Sequence, residues 1–181
     1  MEEILDILKN RNTILYPTDT VWGLGCDATN EEAVKKIYQL KNREESKSLI
    51  ILVSSIEMLE QYVDYIPKKA LEILRESEKP TTIIYNNPKG LAANTVASDN
   101  TIAIRIPQDD FCIQLIKEFG KPIVSTSANV SGEPTPKSFS EISEAILKNV
   151  DYVVNLQQEK VAEKSSTILK IEGDTVIVIR E

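Results

Sequence analysis

Segments with helical periodicity alternate with short apolar, β-branched segments along the whole of this 181-residue chain, and that alternation restricts it to an α/β architecture. "EEILDILKN" reads as a helix. In "NEEAVKKIYQL", Asn30 is the expected N-cap, and Ala33, Val34, Ile37 and Leu40 fall on one face. "SLIILVSS" is too short and too uniformly apolar for an amphipathic helix and reads as a buried strand, after which Ser54 and Glu57 suggest a capping box. Pro67 opens a helix through "KKALEILRES". The strands "TTIIYNN" and "TIAIRIP" follow, then the helix "DDFCIQLIKEF", closed by Gly120 at its C′ position. "PIVSTSA" is a strand, "SFSEISEAILKN" a helix and "DYVVNL" extended, and "STILKIEGDTVIVIRE" forms a hairpin around Gly173 and Asp174. The expectation is a single domain over residues 1–181 with a twisted, mixed sheet of about seven strands flanked by helices. The connections at 86–100 and 155–165 exceed ordinary loop length, as lids and binding elements do.

One stretch, "TILYPTDTVWGLGCDA" at residues 13–28, raises a question of its own. A strand from Thr13 to Tyr16 ends at Pro17 and presents Thr18, Asp19 and Thr20 at its carboxyl end, where open α/β sheets hold ligands. Gly23 and Gly25 have two readings: a tight turn needing positive φ, or a close approach of backbone and ligand.

The chain contains no histidine, which removes Ser-His-Asp and Cys-His catalysis, imidazole bases and His-ligated metals. Chemistry is left to Lys, Arg, carboxylates, hydroxyls, amides and bound ions. A net charge of −7 argues against a surface that binds polyanions everywhere, while leaving room for a local basic cleft. Cys26 and Cys112 lack CxxC partners and read as core residues. "MEEILDILKN" has no signal-peptide character and no segment is long enough to span a bilayer, so a cytoplasmic protein without membrane contact is expected.

Three further polar groups stand out. In "KNREESKS", Lys41, Arg43 and Lys47 are either a solvated helix end or fixed positive charge for phosphates and carboxylates. Arg105, inside the apolar strand "TIAIRIP", either snorkels from an exposed face or binds an anion. In "VSTSANVSGEPTP", residues 124–136, hydroxyls and an amide gather at a strand end, as in a turn or a ligand site. No Walker A, GxGxxG or nucleophile-elbow sequence is present.

Taken in order, "YPTDTVWGLGCDA", "KNREESKSLIIL", "IRIP" and "VSTSANVSGEPT" resemble the YrdC-type family, the threonylcarbamoyl-AMP synthases of tRNA modification. Two departures accompany the resemblance: Glu44 stands where the family often has proline, and "SEKPTT" replaces "WPGPxT", keeping Pro80 and Thr82. The resemblance implies a single YrdC-like domain with a concave substrate cleft. It implies synthesis of threonylcarbamoyl-AMP from L-threonine, bicarbonate and ATP with release of pyrophosphate, after which transfer proteins modify adenosine 37 of tRNAs reading ANN codons. By resemblance Thr18, Arg105, Ser125 and Ser166 would hold threonine. Lys41, Arg43, Lys47, Ser127, Asn129, Thr135 and Arg180 would face ATP, with Lys41 and Arg43 catalytic. As exposed or cleft-lining cations, those two would contribute little to stability. Mg2+ would arrive with ATP, held by phosphates and water, with no metal site in the protein. The competing reading is a YrdC-like RNA- or nucleotide-binding module without synthase activity; even for the enzyme, weak contact with RNA is expected.

Overall fold

The computed structural model describes residues 1–44, 49–162 and 164–181. Six helices and nine strands alternate in it: α1 Glu2–Lys9, β1 Ile14–Tyr16, β2 Gly23–Gly25, α2 Glu31–Lys41, β3 Ile50–Leu52, α3 Ile56–Tyr62, α4 Lys68–Glu76, β4 Thr81–Asn86, β5 Thr101–Arg105, α5 Asp110–Phe119, β6 Ile123–Ser127, α6 Glu144–Asn149, β7 Tyr152–Val153, β8 Thr167–Glu172 and β9 Thr175–Arg180. The strands form one mixed sheet in the order β7-β1-β2-β6-β3-β5-β4-β8-β9. β1/β7, β3/β5 and β4/β8 pair parallel and the other neighbours antiparallel.

Local chemistry places most of these elements where the sequence does. Asn30 caps α2 by accepting from the Ala33 N–H at 3.0 Å, and Gly120 closes α5 at φ 80 in the left-handed region. Four expectations need correction. The sheet has nine strands rather than about seven, and Gly23–Gly25 is a strand instead of a turn. The cap of α3 is Ser55, which accepts from the Met58 N–H at 3.1 Å, and not Ser54. The helix expected at "SFSEISEAILKN" breaks into a 3₁₀ turn at Phe139–Glu141 and the short α6, because Ile142 and Ser143 are extended.

One face of the sheet, carrying Val124, Ile51, Ile104 and Ile83, packs against Ala33, Val34 and Ile37 of α2, Leu59 of α3, Ala70 of α4 and Ile146 of α6. Trp22 joins this core against Phe139, ring centroids 5.1 Å apart. The opposite face is only half covered. At one end Ile14, Tyr16, Leu52 and Ile123 meet Ile4 and Leu8 of α1 and Cys112, Leu115 and Ile116 of α5. Beyond them the same face carries Ser125, Ile50, Ala103 and Ile84 and stays open. Both cysteines are buried, as the sequence suggests.

The glycines of β2 answer a steric demand. A Cβ on Gly25 would lie 2.5 Å from Tyr16 Cε1 and 2.8 Å from the Val124 carbonyl, and one on Gly23 would lie 3.2 Å from Ser125 Oγ. Neither glycine has positive φ. Their missing side chains let Tyr16 lie flat on β2 and donate to the Val124 carbonyl at 2.9 Å.

Candidate functional site

The open half of the sheet is the floor of a cleft of about 370 Å³. Arg43, Arg105, Ser125, Ser127, Thr135, Ser166 and Arg180 all line it, together with Thr20, Ser165 and the apolar Ile50, Ile84, Ala103 and Ile168. Residues drawn from six separate stretches of sequence thus meet in one place, and alternation along β6 and β5 explains how. Ser125 and Ser127 share a face two residues apart, while Ala103 and Arg105 repeat the pattern on β5.

Arg105 is 2% exposed. Its Nη1 donates to Asp19 Oδ1 at 2.5 Å, Nη2 lies 3.4 Å from Thr20 Oγ1, and Nε is buried without a partner among the described residues. Asp19 Oδ2 also accepts from the Gln108 backbone N–H at 2.9 Å. Opposite Arg105 across the β4–β5 ladder stands Thr82, whose hydroxyl bonds that of Ser166 at 2.8 Å. Arg180 reaches the same serine from β9, its Nε and Nη2 donating to the Ser166 carbonyl at 3.0 and 2.8 Å. Burial, and then the neighbouring positive charge of Arg105, push the Arg180 pKa down. An anion between the two guanidiniums would relieve that repulsion.

Lys41 departs from expectation. It is 1% exposed and so is not a solvated or cleft-lining cation. Its ammonium donates to the carbonyls of Ser127 at 2.5 Å and Asn129 at 2.9 Å, with Ser127 Oγ at 3.4 Å. The Lys41 carbonyl in turn accepts from the Ser131 N–H at 2.7 Å. This residue clamps the end of α2 to the loop after β6. Burial and the Arg43 charge pull its pKa down to about 8. Arg43, two residues on, lines the cleft.

Two other expected residues stand behind the wall rather than on it. Thr18 is buried, donates to the Val21 carbonyl at 2.7 Å and accepts from the Thr20 N–H at 3.1 Å, so its hydroxyl shapes the turn that presents Thr20. Asn129 spends its amide on the carbonyls of Val130 and Glu133 at 3.1 and 2.9 Å, leaving Oδ1 buried without a partner among the described residues. Lys47 lies outside the described residues.

The sequence groups Asp19 and Thr20 with Thr18 at a strand end where ligands bind, but only Thr18 is given a role there. Both sat in the quoted stretch, and the acidic partner that a buried arginine requires was the signal that could have selected Asp19. Of the long connections, 86–100 packs on α2, with Asn94 bonded to Glu31 and Tyr38, away from the cleft. The 155–165 connection runs beside the site: Lys160 donates to the Thr18 carbonyl at 3.1 Å, and Ala162 N–H to the Lys137 carbonyl at 2.7 Å. No group of three Cys, Asp or Glu side chains able to hold a metal lies among the described residues.

A family model named for Sua5, YciO and YrdC and described as "Telomere recombination" matches residues 6–181. A Methanocaldococcus jannaschii protein named "Putative threonylcarbamoyl-AMP synthase" is 38% identical over 99% of this chain and 86% of its own length. A Bacillus subtilis protein named "Threonylcarbamoyl-AMP synthase" is 31% identical over 96% of this chain and 51% of its own. Among solved structures, P. abyssi Sua5 complexed with L-threonine superposes with a TM-score of 0.87 at 26% identity, covering 98% of this chain and 52% of that one. The chain thus spans about half the length of the B. subtilis and P. abyssi proteins.

Proposed function

The chain belongs to the Sua5/YciO/YrdC family, and from that membership we propose that it makes L-threonylcarbamoyladenylate from L-threonine, bicarbonate and ATP, releasing pyrophosphate. The observation that carries this reading is the convergence of three arginines and four of the expected hydroxyl residues on one cleft in a chain whose net charge is −7. Local positive charge in an acidic protein marks where anions are to be gathered. The names of the relatives, and the threonine in the P. abyssi structure, support the same substrates.

The chemistry suits this residue set. The threonine amine attacks the bicarbonate carbon, water leaves, and the resulting carbamate oxygen attacks the α-phosphorus of ATP as pyrophosphate departs. No covalent protein intermediate is needed; alignment of anions and stabilisation of developing charge are. Arg105, Ser125 and Ser166 hold threonine, with Thr18 setting the turn beside them. Arg43, Ser127, Thr135 and Arg180 face ATP, while Asn129 and Lys41 shape the loop from which Ser127 projects. Mg2+ enters as part of the substrate, carried by the triphosphate, and Lys47 is assigned to ATP on sequence alone. The product supplies t6A formation at position 37 of tRNAs in the cytoplasm, through transient transfer proteins and with weak RNA contact. No helix of the described residues is long and apolar enough to cross a membrane.

Purified protein given ATP, Mg2+, bicarbonate and L-threonine will release pyrophosphate, and omission of threonine or bicarbonate will stop it. Release independent of threonine would make the protein a general ATP pyrophosphohydrolase. Nucleotide binding without release would make it a binding module.

A further inference from the structure

Asp19 is the one carboxylate, among the described residues, that lines either of two adjoining hollows. The first is the cleft above. The second, about 340 Å³, is bounded by Asp19, Lys79, Lys160 and Lys164 and meets the first at Thr20 and Ser165. Arginines on one side and lysines on the other make a positive field that gathers anions, and a lone carboxylate inside it works against that.

The bonding of Asp19 is incomplete in a particular way. Oδ1 accepts from Arg105 Nη1 and Oδ2 from the Gln108 N–H, so each oxygen keeps acceptor capacity. Arg105 likewise keeps an unused edge: Nε has no partner among the described residues, and Nη2 makes only the long contact to Thr20. A buried ion pair with both members part-satisfied carries a desolvation cost that further partners would offset. A ligand bearing a carboxylate and an ammonium on one carbon completes both members at once.

We propose that the Asp19–Arg105 pair reads the amino-acid backbone of the substrate: Arg105 takes the α-carboxylate through Nε and Nη2, and Asp19 takes the α-ammonium. This rests on the threonine-dependent activity proposed above and adds a residue to it. The charges of a zwitterion run opposite to those of the pair, so four charges close into a neutral set. A simple anion, which offers no ammonium, meets the repulsion of Asp19 uncompensated. Discrimination between an amino acid and the many other carboxylates of a cell then resides in Asp19.

Calorimetry with L-threonine, and with the hydroxy acid in which a hydroxyl replaces its amine, tests the assignment. The unmodified protein should bind threonine the more tightly. Asp19→Asn should lower threonine affinity about 10- to 100-fold, the range for a hydrogen bond to a charged group, without weakening the hydroxy acid. Asp19→Glu, which keeps the charge and serves if the neutral variant does not fold, should shrink the preference without abolishing it. Equal loss for both ligands would make Asp19 a structural prop, and an undiminished preference in both variants would remove it from recognition; either overturns the inference. If the unmodified protein binds neither acid and releases no pyrophosphate, the proposed function falls and this inference with it; if it does both and only the variants disappoint, the inference falls alone.

Discussion

Lys41 and Arg105 are both cations buried to within 2% of complete enclosure, and their surroundings differ in kind. Lys41, at the end of α2, is met by neutral carbonyls of Ser127 and Asn129 and by no carboxylate in those bonds. Arg105, at the end of β5, is met by Asp19 and keeps an unused donor. Neutral acceptors satisfy hydrogen bonds without balancing charge, so burial drags the Lys41 pKa down to about 8. The first arrangement is a clamp that holds a loop in shape; the second, on the reading proposed above, is half of a recognition device. Burial alone does not separate structural from ligand-facing cations; the chemistry of the acceptors does.

The most severe challenge to that distinction is Arg105→Met. It strands Asp19 as a buried carboxylate, costing about 3–5 kcal/mol of stability, and should cut threonine-dependent pyrophosphate release by about 10²-fold or more. Adding Asp19→Asn should recover most of the melting temperature and none of the activity; recovery of turnover would make the pair merely structural. Lys41→Met should also reduce turnover, on the order of 10²-fold, because small displacements of positioning groups are costly. Its signature is a loss of about 1–3 kcal/mol as two buried carbonyls lose their donor, which thermal melts can compare with Arg43→Lys. That substitution keeps the charge and sacrifices the planar fork. It should lower turnover by about 10-fold, roughly the worth of one hydrogen bond to a charged partner, and leave the melt nearly unchanged. A destabilised Arg43→Lys would blur the contrast between clamp and cleft.

The mildest test uses pH. An unfolded lysine titrates near 10.4 and Lys41 near 8, so between those values the unfolded chain holds a proton that the folded chain has released. The contribution of Lys41 to stability therefore rises as pH climbs from about 8 to about 10.4, and is lost as pH falls through 8. Buried Tyr16, Tyr85 and Cys112 have raised pKa values from desolvation and act in the opposite direction. Melting temperatures of the unmodified protein minus those of Lys41→Met, measured across that window, isolate the lysine. A flat difference would remove the uncompensated charge from the account.

The sequence spoke clearly where structure is made locally. Asn30, Pro67 and Gly120 announce helix ends, and the closing hairpin follows from "EGDT" between two apolar runs. It was silent where one element exists to accommodate another. "GLG" has no strand propensity of its own; it is a strand because it pairs with β1 and β6, and its glycines are there because Tyr16 and Val124 leave no room for a side chain at position 25. The same divide runs through the site. Resemblance gathered the cleft-lining Arg43, Arg105, Ser125, Ser127, Thr135, Ser166 and Arg180, but it did not tell that Lys41 and Thr18 turn inward; for Lys41 the signal was helical spacing, which sets it four residues after Ile37 and seven after Val34 on the buried face of α2, whereas nothing local marked Thr18. Asp19 stood in the polar group at the strand end without a role, because its partner lies 86 positions away.

The contact between Gly25 and Tyr16 also restricts change. A methyl group at position 25 collides with the tyrosine ring and with the Val124 carbonyl, so shortening position 16 relieves only one of the two clashes that alanine there would meet. Shortening Tyr16 first removes the hydroxyl that holds the Val124 carbonyl, next to Ser125 on the cleft floor. Each step alone does harm, and the pair together does not restore what was lost, because no shorter side chain at position 16 supplies that donor. Drift at these two positions is therefore coupled and blocked in both directions, and a mutational library that samples one substitution at a time will find neither position free.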